Sequence, residues 1–138
     1  MKVMSRKLER NIVKATSIWH FTNGLVSIFF YGLDFKRNGE VLLSQAYPEL
    51  GAGSASLVDN IYVVLSTYGL LMILIGFLNF FFVKNLKDNE ISRKWQIWMA
   101  VLLVLSVITM DLISILGYSV LVAIYNSKNK SIRKYVLN

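Results

Sequence analysis

The chain has no cysteine among its 138 residues, which removes disulfides, thiolate nucleophiles, iron–sulfur clusters and cysteine-ligated zinc from consideration. It has one proline, Pro48, and eight glycines, so long stretches are free of helix breakers. Acidic residues are scarce, eight against 15 basic, and His20 is the single histidine. One histidine without a second His or a Met at a suitable spacing is a poor basis for haem or a metal site, and no cofactor is expected. Glycine-rich nucleotide loops, paired carboxylates in an apolar stretch, His-x-x-x-His and a Ser–His–Asp set are missing, so enzymatic chemistry is not expected.

What the sequence has in abundance is apolar length. Hydrophobic residues make up 55% of the chain and the mean hydropathy is +0.52, above the range of a soluble domain. Hydrocarbon offers no partner to a free backbone N–H or C=O, and the alternating pattern of barrel strands is absent. The expected fold class is therefore an all-α integral membrane protein. The net charge of +7 belongs to clusters flanking apolar runs, which suits anionic headgroups and orientation in a bilayer rather than nucleic acid.

The first fourteen residues hold Lys2, Arg6, Lys7, Arg10 and Lys14 against Glu9. An apolar run of about residues 15–33 follows, longer than the core of a signal peptide and without a small-x-small cleavage site, and reads as an uncleaved first span. A polar outer loop is expected over residues 34–60, turning near Pro48, in which Val41, Leu42, Leu43, Ala46 and Tyr47 suit a short interfacial helix. The second span, about 61–83, is about 34 Å of helix. A basic inner loop covers 84–94, and a basic tail covers 126–138.

Residues 95–125 decide the span count. One helix of that length would run about 46 Å, past the roughly 30 Å of hydrocarbon, and would strand Asp111 at mid-membrane. A hairpin turning at Thr109-Met110-Asp111 gives spans of about 95–109 and 111–125, short but tolerable, with Asp111 at the surface as a turn and capping residue. Four spans also put 13 of the 15 basic residues on one side, leaving only Lys36 and Arg37 opposite. The expected architecture is a four-helix transmembrane bundle, one domain, with both ends in the cytoplasm. Three spans would export the basic tail and bury Asp111, which would then be a candidate ion or proton site.

In the first span Thr16, His20, Asn23, Ser27 and Tyr31 recur at steps of three or four and form one polar helical face, expected to turn toward other helices or a ligand. In the second, Tyr62, Ser66, Gly69, Ile73, Gly76 and Phe80 follow a heptad-like path. Ser66, Gly69 and Gly76 are the expected packing seam, with Asn79 just beside it. Ser106, Thr109, Ser114, Gly117 and Ser119 are small or polar residues suited to packing the hairpin. Trp95 and Trp98, beside Arg93 and Lys94, read as an interfacial belt, while Phe77, Phe80, Phe81 and Phe82 read as lipid-facing or packing aromatics.

The plan resembles that of many small bacterial membrane proteins of low-GC composition, and implies a bacterial plasma membrane. The likeness is compositional, includes no diagnostic motif and implies no function. Three functional expectations stand. The first is an accessory, regulatory or self-protection (immunity) protein that docks its helices on a larger membrane partner. The second is a small oligomeric transporter or channel with the His20, Asn23 and Ser27 face lining the path. The third is a holin-like lesion former. The expected partners are the lipid bilayer and a membrane protein or further copies of the chain.

Overall fold

The computed structural model describes residues 4–135, so Lys2 and the last three residues of the basic tail lie outside the described residues. Among the described residues the chain is all-helical, 88% helix in four helical stretches and without a strand. The first stretch joins α1 (Lys7–Leu25), a π-helical segment (Val26–Gly32) and α2 (Leu33–Ala46). The others are α3 (Gly53–Phe82), extended by a 3₁₀ turn (Val83–Asn85), then α4 (Arg93–Ile108) and α5 (Leu112–Tyr135). One of them, Gly53–Asn85, is long and apolar enough in unbroken helix to cross a membrane by length and composition, with a mean hydropathy of 2.3 over an 18-residue window within it.

Much of the expected outer loop is helical. Between Leu33 and Ala46 only Gly39 opposes helix formation, and it is buried where bulk is not wanted: a Cβ there would lie 2.9 Å from Val58 Cγ2. The helix stops where proline demands it. Pro48 disfavours the α region in the residue before it, and Tyr47 sits at φ −138°, ψ 74°. Gly51, at φ 48°, completes the turn into α3.

The hairpin closes over residues 109–111, between the end of α4 and the start of α5. Its tip has neither Gly nor Pro, and Met110 takes the left-handed conformation at φ 54°. The Met110 and Asp111 N–H groups bond back to the carbonyls of Val107 (3.1 Å) and Ser106 (3.0 Å), the paired bonds of a Schellman helix end. Trp95, Met99, Leu102 and Ser106 form the buried stripe of α4; Ser114, Tyr118, Leu121, Tyr125, Asn129 and Ile132 form that of α5. Both stripes keep the spacing of a single helix face.

The chain forms two compact units. One comprises the residues up to Ser17 together with those from Leu78 onward; the other is Ile18–Phe77. They are called the terminal unit and the central unit below.

Candidate functional site

The most concentrated chemistry in the terminal unit surrounds Arg6, a residue whose sequence position suggests only a flanking charge. Arg6 and Glu9 are both completely buried. Arg6 Nη1 donates to Glu9 Oε1 (3.2 Å), one turn away at the start of α1, and Arg6 Nη2 donates to the Glu90 carbonyl (2.9 Å) and to Asn129 Oδ1. The guanidinium lies over the Tyr125 ring, 4.1 Å from its centroid. Lys128 Nζ closes the other side, donating to Glu9 Oε2 (2.7 Å) and the Ser5 carbonyl (2.6 Å). Two ions removed from water cost several kcal/mol each unless their hydrogen bonds are replaced, and here α5 and the inner loop replace most of them.

The same loop is tied to the N-terminal segment a second time. Asp88 Oδ1 accepts from the Arg6 N–H (2.6 Å) and from Arg10 Nη1 (3.0 Å), and Met4 and Asn89 exchange two bonds, Met4 N–H to Asn89 Oδ1 (2.7 Å) and Asn89 N–H to the Met4 carbonyl (3.3 Å). The backbone bond from Arg6 holds the Asp88 carboxyl below its ordinary value of 3.8, against an opposing effect of desolvation and with further help from the Arg10 guanidinium. Asn89 adopts φ 58°, a conformation asparagine tolerates better than most residues. The Tyr125 hydroxyl bridges both backbone groups of Ser92, accepting from its N–H (2.9 Å) and donating to its carbonyl (3.2 Å).

Deeper in the terminal unit, Asn79 joins three helices. It is 1% exposed; its Nδ2 donates to the Tyr118 hydroxyl (2.7 Å) on α5 and its Oδ1 accepts from Trp98 Nε1 (2.8 Å) on α4. Trp98 is thereby a packing residue as well as a candidate belt residue, stacked edge-on against Phe82 at 5.7 Å. Asp111 caps α5: Oδ1 accepts from the Ser114 N–H (3.1 Å) and Oδ2 from the Ser114 hydroxyl (2.6 Å). It is 9% exposed, because the cap folds the carboxylate back onto α5.

In the central unit the polar face of the first helix is divided. His20 and Ser27 are buried, Asn23 is half-buried and donates to the Tyr68 hydroxyl (3.2 Å), and Tyr31 is 64% exposed. Thr16, expected on the same face, falls in the terminal unit and bonds the Val13 carbonyl. Tyr31 leaves the face because of the π segment. There the Leu33 N–H bonds the Ile28 carbonyl, five residues back, so one turn absorbs an extra residue and Gly32 takes the buried position after Ser27.

Of the expected seam, Gly69 and Gly76 are buried and Ser66 is half-buried. The partner of Gly69 is Gly24 on α1: a Cβ on Gly24 would lie 2.5 Å from the Gly69 carbonyl oxygen, and a Cβ on Gly69 would lie 2.7 Å from that of Gly24. Backbone meets backbone, which only two glycines allow. Phe21 and Phe77 stack edge-to-face at 4.8 Å in the same unit.

A groove of about 530 Å³ opens in the terminal unit where α3 ends and α4 begins. Phe82, Trp95 and Trp98 form its apolar wall; Asn85, Lys87, Glu90, Ser92 and Lys94 form its polar side. Sequence reasoning assigned Arg6, Glu9, Lys87, Lys94 and Lys128 to topology by counting charge. The usable signal for Arg6 and Glu9 was their spacing of three residues beside an uncharged helix face, which puts an ion pair on one turn. No triad of His, Asp or Glu side chains suited to a metal ion occurs among the described residues. No protein-family model, curated protein or solved structure matches the chain.

Proposed function

We propose that this chain is a small multi-pass membrane protein, a four-helix bundle with both ends in the cytoplasm, that works by docking its helices on a larger membrane partner in an accessory, regulatory or self-protection role. The observation that supports a bilayer setting is an inversion of polarity. Arg6, Glu9, Ser17, His20, Asn79 and Ser114 are at most 2% exposed, whereas Val64, Phe77, Phe81, Ile108, Leu112 and Leu116 are each more than 60% exposed. Water would select the reverse arrangement, and hydrocarbon selects this one. The hairpin turn at residues 109–111 supports the four-span count, because it divides the apolar stretch 95–125 into arms of about 24 Å or less.

Docking is favoured over transport by where the polar side chains go. Asn23 bonds Tyr68, Asn79 bonds Tyr118 and Trp98, and Tyr31 leaves the face that a path would need. The outward surface left to a partner is apolar and includes the exposed faces of α3, α4 and α5. Purification of a tagged copy from its native membranes in mild detergent tests this reading. A stoichiometric membrane protein should co-purify; a monodisperse species without one, from cells indifferent to deletion of the gene, would overturn it.

A further inference from the structure

We infer that the groove between the end of α3 and the start of α4 is a binding site for an anionic phospholipid, with the phosphodiester between Lys87 and Lys94 and an acyl chain against Phe82 and Trp98. The inference rests on the proposed membrane setting and adds a specific ligand to it. Neither lysine has an ion-pair partner among the described residues, although Arg6, Arg10 and Lys128 in the same unit all have one. Two unneutralised ammonium groups therefore share a cavity of about 530 Å³ with three aromatic rings. That pairing of cation and apolar wall fits an amphiphile with a charged head better than a free inorganic ion.

Two further features point the same way. Arg93 and Lys94 begin α4, whose first turn has no acidic residue, so two cations stand at the positive end of a 16-residue helix. That placement is unfavourable by itself and is relieved by an anion at the same end. Trp95 lines the groove while only 6% exposed, and its indole N–H meets no acceptor among the described residues, which leaves a donor for a headgroup oxygen. Glu90 stands on the polar side and opposes a bare phosphate. A headgroup with hydroxyls gives that carboxylate donors to accept from.

The position also suits a lipid. The apolar stretch that α3 carries ends at Val83, and the polar loop begins at Lys84, so the groove straddles the boundary between the two. An acyl chain at Phe82 and Trp98 would continue along the exposed Phe81 and Phe80 side of α3.

The full-length protein in mild detergent, examined by native mass spectrometry against phosphatidylglycerol, phosphatidylcholine and inorganic phosphate, tests the assignment. Phosphatidylglycerol should be retained over phosphatidylcholine, and Lys87→Gln with Lys94→Gln should weaken retention about 30-fold, about fivefold for each lysine. Lys36→Gln with Arg37→Gln should leave it unchanged. Equal retention of both lipids, an unaffected double variant, or displacement of phosphatidylglycerol by equimolar inorganic phosphate would each overturn the proposal. Alkaline carbonate washing separates this failure from the broader one: a protein released from membranes sinks the membrane reading, and a protein that stays without selectivity sinks only the lipid site.

Discussion

The two units reach order by different means. The terminal unit is organised by directed bonds, in which Arg6 and Glu9 are fully buried and are met by Glu90, Tyr125, Lys128 and Asn129. The central unit is organised by removal of side chains, with Gly24 against Gly69 and Gly39 under Val58. A directed bond fails when one partner is deleted, and a close approach fails when an atom is added. Truncation and enlargement should therefore have opposite consequences in the two units.

The largest effect is expected from Arg6→Met, which leaves the Glu9 carboxylate buried with only Lys128 to neutralise it, at a cost of about 3 kcal/mol. Adding Glu9→Gln should recover most of the loss. The measurement is thermal unfolding in detergent, followed by Trp95 and Trp98 emission in a Trp19→Phe background; equal stability of the single and double variants would show that the pair contributes nothing. Gly69→Val comes next, at about 1–3 kcal/mol, because its new atoms meet Ile28 and the Gly24 backbone. Gly53→Ala, where a Cβ meets open space, is the control. If Gly69→Val proves harmless by the same unfolding assay, the distinction between the units collapses.

Met110→Gly should raise stability by about 0.5–1 kcal/mol, since it relieves a left-handed residue at the end of α4. A lower unfolding temperature would mean that the Met110 side chain supplies contacts worth more than the strain. The smallest effect is a pH dependence. Asp88 has a carboxyl lowered in the folded protein, so its contribution is complete above 3.8 and is lost as the pH falls below that through the folded value. Acid titration of the unfolding midpoint should show this step in the parent and not in Asp88→Asn, and the step should be slight because the group is exposed to water.

These differences follow the line between what periodicity can and cannot report. The apolar run behind α3 and the break between α4 and α5 were legible, because unbroken hydrophobic length and a single Asp between two such lengths are properties of local sequence. Gly69 was legible as a packing residue from its small-residue spacing. Its partner Gly24 was not, since a close approach is a property of two helices and the sequence shows each one alone. Helix over residues 34–40, ahead of the short helix expected from Val41 onward, was obscured by polarity: Asp34, Lys36, Arg37, Asn38 and Glu40 resemble a loop, yet their solvation permits helix as readily, and only Pro48 sets the limit.

The burial of the ion pair, unlike the spacing of its two residues, was hidden for a different reason. Counting Lys2, Arg6, Lys7, Arg10 and Lys14 as one basic block treats charges as interchangeable. Burial makes Arg6 distinct from its neighbours, because its partners Glu90, Tyr125 and Asn129 lie more than 80 positions away. No local pattern holds that information.

The π segment in the first helix also makes the reading frame of structure shorter or longer by one residue without disturbing either side. Removing one residue from a regular helix turns everything beyond it by about 100° and scatters its buried face. Removing Phe30, which is 71% exposed within the π segment, should instead convert that turn to ordinary helix and keep Ser27 upstream and Gly39 downstream on their present faces. Val26–Gly32 is thus the place in the first helix where a one-codon deletion should be tolerated, while the same deletion at His20 should not.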